Sequence, residues 1–335
     1  MPTPIDRFVG RAVPLGEIVL YGATCGAQRR VPHVKRLRMA LLRAYAALLH
    51  VVRPNAGMTV LSFNRVTNAL FAGVDGPLVA RMPCGARIEV DPADYNGRKL
   101  WLLGSNDWKV SRTVNALLRE GDVLLDIGAN FGSIGFDAIE RVGPSGAVHF
   151  FEPQATLAAR IEAAAKEAGL AQVGVHRAAL SDADGEVTLS WPAHHSGMAT
   201  ILTAGNAARA RYRNEKVPMY DTAAYVAPLV AGRRFGVKID VEGAEPNVLP
   251  GLLQQDGLTF VVFEGKSSKR WLWDFFSRHG FAVFGMARTP LRPRIAPVAR
   301  FEDWSPYYEF VAVPAQEGLP TREVALRAFA AAARP

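Results

Sequence analysis

A carboxylate closes each of three apolar runs in this chain, and a glycine-rich bend follows a fourth. Glu152 ends the run Ala147 to Phe151, Asp240 and Glu242 end the run that begins at Phe235, and Glu264 ends Leu258 to Phe263. The bend is Asp126-Ile127-Gly128-Ala129-Asn130-Phe131-Gly132, entered from the apolar Val123 to Leu125. Gly128 and Gly132 admit backbone angles and close approaches that a side chain would block. Asn130 is the non-glycine type most tolerant of left-handed geometry. Glu152 follows about 20 residues after the bend, the spacing at which an acid reaches the hydroxyls of a bound ribose. These residues therefore point to a nucleoside ligand. A single acid at the end of a strand is often only the cap of the next helix. Several around one rim are different, because ligands of open α/β sheets bind outside the carboxyl ends of the strands, and these acids would line one cleft.

The elements that must position them alternate regularly. Strands are expected at 123–127, 147–151, 173–176, 235–241 and 258–263, with helices at 132–141, 155–168, 245–253 and 268–279. Such βα repetition implies a mostly parallel sheet covered by helices on both faces. Two further apolar runs, 282–286 and 308–313, show no helix between them and are expected to pair antiparallel at one edge. Segment 178–182 reads as a loop, 187–191 as a strand, and the stretch after it as irregular. Upstream, short strands at 78–82, 87–90 and 100–103, separated by turns, suggest a small antiparallel element, followed by a helix from Trp108 to Arg119.

The expected organisation is a basic helical extension over 1–73, a small β element with a linking helix over 74–120, the α/β domain over 121–315 and a tail over 316–335. In the extension, His33 to Val52 reads as an amphipathic helix, with Lys35, Arg36, Arg38 and Arg43 among leucines. That pattern suits either a peripheral contact with a membrane or lipid-linked substrate, or a helix that caps the domain with its charges in water.

With 335 residues, 49% of them hydrophobic and 21% charged, the composition is that of a globular protein. No run of about 18 uncharged apolar residues argues for a membrane span. The Met-Pro-Thr-Pro start lacks the apolar core of a secretory signal, so a cytoplasmic location is expected. Cys25 and Cys84 lie far apart and are expected to be reduced thiols. The net charge of +8 would suit an anionic partner, but the arginines are scattered, and net charge alone decides little.

Taken in order, Leu125-Asp126-Ile127-Gly128-Ala129-Asn130-Phe131-Gly132, Phe151-Glu152-Pro153 and Lys238-Ile239-Asp240-Val241-Glu242-Gly243-Ala244-Glu245 resemble the FkbM family of S-adenosylmethionine-dependent methyltransferases. The resemblance spans about residues 75 to 315. It implies a Rossmann-like class I methyltransferase fold, with a seven-stranded, mostly parallel sheet whose last strand inserts antiparallel. It also implies that Asp126, Gly128, Asn130 and Gly132 hold the amino-acid end of S-adenosyl-L-methionine, that Glu152 binds its ribose, and that Ser181 or Asp182 meets the adenine. The family mostly methylates hydroxyl oxygens of sugars and of macrolide-type or related natural products. Many relatives carry Tyr-Glu or Trp-Glu after the glycine at the position of Gly104, where this chain has Ser105-Asn106-Asp107.

Methyl transfer from a sulfonium is an in-line displacement that needs an aligned acceptor oxygen and assistance with loss of its proton. Asp240 is the first candidate for that role, with Glu242 and Glu264 as alternatives and His195, in His194-His195-Ser196-Gly197, as a fourth. The three acids offer oxygen ligands to a hard cation, but no His or Cys accompanies them at a diagnostic spacing, and no metal is expected. Arg209, Arg211, Tyr212 and Arg213 mark the segment where acceptor specificity is expected.

Three other functions compete with this one. A dinucleotide-dependent oxidoreductase fits poorly, since Asn130 replaces the glycine that admits a pyrophosphate. A nucleic-acid methyltransferase is suggested by the charge but lacks an aromatic and amide grip on a flipped base after the fourth strand. A cofactor-binding module without turnover is the third. An acceptor that is small or a saccharide is therefore expected, with nucleic acid disfavoured.

Overall fold

The computed structural model describes residues 32–74, 76–201, 212–290, 294–305 and 307–315. Helix α1 (Pro32–Val52) confirms the amphipathic reading, and α2 (Met58–Phe63) and α3 (Arg65–Phe71) follow it. A hairpin of β1 (Leu78–Arg81) and β2 (Arg87–Val90) leads into α4 (Tyr95–Leu103) and α5 (Trp108–Leu117). The expected strand at 100–103 is instead the last turn of α4. Asp94 caps that helix by accepting from the Gly97 amide at 2.8 Å, and Gly104 ends it with φ 76°. Leu100 packs into the main core while Leu102 and Leu103 pack against Leu42, Leu49 and Phe71. A helix wedged between two layers buries apolar residues on several sides, so its sequence loses helical periodicity and imitates a strand.

The main domain runs through β3 (Val123–Ile127), α6 (Ser133–Val142), β4 (Ala147–Phe151), α7 (Ala155–Glu167) and β5 (Val173–His176). Next come β6 (Ala179–Ser181), β7 (Gly185–Pro192), β8 (Thr200–Ile201), β9 (Tyr212–Asp221) and α8 (Thr222–Val230). The chain closes with β10 (Phe235–Ile239), α9 (Glu245–Leu252), β11 (Leu258–Glu264), α10 (Lys269–Arg278), β12 (Phe281–Ala287), β13 (Arg294–Pro297) and β14 (Glu309–Pro314). The large sheet has the order β13-β12-β14-β11-β10-β3-β4-β5. Neighbours among β11, β10, β3, β4 and β5 are parallel, and β14 inserts antiparallel between β11 and β12. The seven-stranded expectation is thus met and exceeded by one strand, since β13 takes the edge expected for the final pair.

Strands β3 and β10 are buried at every position, as central parallel strands covered on both faces must be. Leu124, Val148 and Phe150 face α5, α6 and α7, while Leu125, Val237 and Phe263 face α8, α9 and α10. A second sheet, β6-β9-β7-β8, replaces the expected loop at 178–182 and much of the irregular stretch. Its long strand β9 carries Arg213, Asn214, Glu215 and Lys216 opposite β7, so its polar sequence hides its pairing. No helix among the described residues is long and apolar enough to cross a membrane.

Candidate active site

The glycine bend is held from below by buried charge. Asp126, fully buried at the end of β3, accepts from the Gly135 amide at 3.0 Å and pairs with Lys238 Nζ at 3.2 Å. Lys238 in turn donates to the Gly128 carbonyl at 2.7 Å. Burial opposes its charge, yet Asp126 and Asp240 offset this and hold the lysine above its ordinary range. Gly128 adopts φ 72°, and a Cβ there would lie 1.9 Å from the Asp240 carbonyl oxygen. Glycine is therefore required where the ends of β3 and β10 meet. Asn130 takes the left-handed conformation expected of it, at φ 54°.

Glu152, 3% exposed at the end of β4, binds the bend across the sheet. Its Oε2 accepts from the Asn130 amide at 2.7 Å and its Oε1 from the Gln154 amide at 2.9 Å. Burial pushes its carboxyl up to about 7, against the pull of those two amides. Ser196 ties the same corner to the rest of the molecule. Its amide and hydroxyl donate to Asp94 at 2.7 and 3.1 Å, its hydroxyl accepts from Asn130 Nδ2 at 3.1 Å, and its carbonyl accepts from Gln154 Nε2 at 2.9 Å. Asn130 Oδ1 stays buried and unpartnered.

A cavity of about 850 Å³ opens above the bend. Gly128, Asn130, Glu152, Ser181, His195, Asp240, Glu242 and Glu264 all line it, so one space brings together most of the residues singled out in the sequence. Three of them are placed otherwise. Asp126 lies beneath the bend, its carboxylate engaged by Gly135 and Lys238. Gly132, at φ 71°, starts α6 and packs on Phe136 and Phe150. Asp182 is exposed beside the lining, where hydrogen bonds from Asn247 and Ser181 hold its carboxyl below the usual range. Arg209 and Arg211 lie outside the described residues, and Arg213 and Tyr212 belong to β9.

At the strand ends, ligand oxygens of Asp240, Glu242 and Glu264 lie within 4.8 Å of one another. Although Asp240 and Glu242 keep much of their surface in solvent, loss of hydration at the cavity wall first, then the charges of Asp240 and Glu264, push Glu242 up to about 7. Burial and Asp240 raise Glu264 as well, although Lys266 pairs with it. Glu242 is also one of the few non-glycine residues at positive φ, 50°. Across the cavity, Asp107 caps α5 through the Lys109 and Val110 amides, and Lys109 bridges it to Glu309. That arrangement gives the departing Ser105-Asn106-Asp107 segment a structural duty. His195 stacks on Tyr95 with ring centroids 4.4 Å apart, and Tyr95 stacks on Phe63 at 4.8 Å. Burial lowers the His195 pKa, and its Nδ1 has no hydrogen-bond partner.

A nucleoside bearing a charged amino acid fits this set of groups. Glu152 keeps lone pairs for ribose hydroxyls, the orphaned Asn130 Oδ1 awaits an N–H donor, and Phe151, Ala178 and Leu180 supply apolar walls. Residues 126–282 match the family model described as methyltransferase FkbM domain. The chain carries a methyltransferase FkbM domain over these residues. Its cofactor is S-adenosyl-L-methionine, as the family resemblance implied.

No curated protein sequence matches this methyltransferase. Solved structures similar to it include an S-adenosylmethionine-dependent O-methyltransferase from Thermotoga maritima, 13% identical, covering 76% of this chain and 83% of that one at a TM-score of 0.35. Precorrin-6y C5,15-methyltransferase from Geobacter metallireducens is 12% identical over 62% and 88% of the two chains, with TM-score 0.35. TrmK from M. capricolum, in complex with S-adenosyl-homocysteine, is 10% identical over 64% and 73%, with TM-score 0.33. At such scores nothing about this enzyme's acceptor follows from them.

Sequence reasoning missed Asp94, Gln154, Ser196 and Lys238. The apolar-flanked lysine in Val237-Lys238-Ile239 was the one legible signal, because a lysine inside a buried parallel strand requires a partner.

Proposed function

We propose that this methyltransferase acts on a hydroxyl oxygen of a sugar, saccharide or related natural-product acceptor, with Glu242 as general base. The observation that carries this reading is the convergence of Asp240, Glu242 and Glu264 on the cavity that also holds the glycine bend. When bound, S-adenosylmethionine supplies an electrophilic methyl group. Glu242 takes the proton of the acceptor hydroxyl, and Asp240 and Glu264 orient that hydroxyl by accepting hydrogen bonds from its neighbours on a polyol. A carboxyl poised near 7 is matched to proton abstraction at neutral pH. Three clustered carboxylates also disfavour a polyphosphate acceptor, because like charges repel across a partly desolvated site. In this reading Asn130 and Glu152 hold the amino-acid and ribose parts of the cofactor, with Ser181 beside the adenine. His195, neutral and stacked, stands as the alternative base.

The test is release of S-adenosylhomocysteine from the purified chain with a panel of saccharides, hydroxylated macrolides and RNA. Turnover is expected with a polyhydroxylated acceptor, and methylation of RNA alone would sink the assignment. With a working acceptor, Glu242→Gln lowers kcat by about 10²-fold or more while cofactor affinity stays within about twofold. A fully active variant removes Glu242 from the chemistry.

A further inference from the structure

Helix α1 has two apolar faces, and among the described residues only one of them is covered. Leu42, Ala46 and Leu49 are buried against α4 and its neighbours. Leu37, Leu41, Leu48 and Val51 recur at i, i+4, i+11 and i+14 on the other side. They are 61%, 49%, 58% and 82% exposed. Together with Val52, Val60 and Val66, these are seven of the eleven large apolar side chains most exposed among the described residues. Isolated exposed leucines mean little, but a periodic stripe of them marks an interaction face.

Charge identifies the partner. Residues 32–74 contain six Lys and Arg and no Asp or Glu. Arg36 and Arg43, both exposed, fall on α1 beside the outer stripe. Cations flanking an exposed Leu and Val face are the signature of a helix that lies in the plane of a membrane, its apolar side among the acyl chains and its charges among anionic headgroups. A nucleic acid would use the cations but leave the stripe in water.

We propose that the outer face of α1 docks this protein on an anionic lipid surface. The placement is consistent with catalysis at that surface, because the same helical layer reaches the cavity. Met58, Thr59 and Val60 of α2 line it, and Val60 is 68% exposed. The proposal stands whichever hydroxyl is methylated.

The test is co-sedimentation of the full chain with phosphatidylcholine vesicles containing about one-third phosphatidylglycerol, and with phosphatidylcholine alone. Binding is expected only to the anionic vesicles, and it should weaken as salt rises from about 0.1 to about 0.5 M. Leu41→Asp with Leu48→Asp, and separately Arg36→Glu with Arg43→Glu, should each reduce binding at least about tenfold. All four positions are exposed, so circular dichroism and calorimetric cofactor affinity should match the parent chain. Absence of binding to anionic vesicles, or binding that neither pair reduces, overturns the proposal. A dimer that Leu41→Asp with Leu48→Asp splits, without vesicle binding, assigns the stripe to a second copy of the chain. RNA binding without vesicle binding assigns the cations to nucleic acid.

Discussion

Glu152 accepts from two backbone amides, and in the proposed cofactor site it also meets the ribose hydroxyls. Its burial makes each of those bonds matter, because an amide left without an acceptor there loses a partner that water does not replace. Glu152→Ala is expected to weaken S-adenosylmethionine binding at least about tenfold, equivalent to about 1.4 kcal/mol, and isothermal calorimetry measures it. Unchanged affinity would remove Glu152 from the cofactor site. On the proposed mechanism, Glu242 sets the pH dependence. As a base raised to about 7, it is protonated and idle below that value, so kcat/KM should climb as pH passes through about 7 and level off above it. Glu242→Gln should abolish that limb. A limb that survives in the variant would shift the role to Asp240 or His195. At this scale the acids were legible because each ends an apolar run. Ser196 and Asp94 were not, since their hydrogen bonds join residues 102 positions apart in the chain.

The elements explain why the bend tolerates so little change. Gly128 combines a left-handed φ with a contact to the Asp240 carbonyl that leaves no room for a methyl group. Gly128→Ala should cost more than about 2 kcal/mol, from backbone strain of about 1–3 kcal/mol and the displaced strand end. Urea unfolding reads the cost, and a shift below about 0.5 kcal/mol would show that the strands yield easily. The parallel strands were read almost to the residue, because burial on both faces leaves continuous apolar runs bounded by turns. The turn of α4 at Leu100 to Leu103 and strand β9 were misread for opposite reasons. The first is apolar on too many sides for a helix, and the second too polar for a strand, because each element's neighbours are chosen by tertiary packing.

Across the whole molecule, folding pushes the cavity carboxylates Glu152, Glu242 and Glu264, and Asp137 with them, upward, while it lowers His149 and other partly buried histidines, which opposes them below about pH 6.5. Glu152 rises from an ordinary 4.5 to about 7, so the folded state binds its proton more tightly than the unfolded chain does. The stabilisation is complete below about 4.5 and is lost as pH climbs through about 7. Without cofactor, Tm should therefore fall as pH rises from about 6.5 to about 8, above the ordinary histidine value, where the raised carboxylates act unopposed. Glu152→Gln should flatten that slope, even though it lowers Tm overall by losing one of the hydrogen bonds accepted from the Asn130 and Gln154 amides. A slope unchanged in the variant would assign the effect to Asp137, Glu242 and Glu264, which are also raised. The sequence by itself determined the parallel core, the glycine bend, the acids that rim it and the methyltransferase resemblance. All of these depend on local patterns, on apolar runs, left-handed turns and the residue that follows a strand. Only the tertiary structure decided that Asp240, Glu242 and Glu264 bring their oxygens within 4.8 Å of one another, that Ser196 locks the bend to α4, and that α1 turns a second apolar face outward. Those features arise from distances between residues far apart in the chain, and from which side of a helix its neighbours happen to cover.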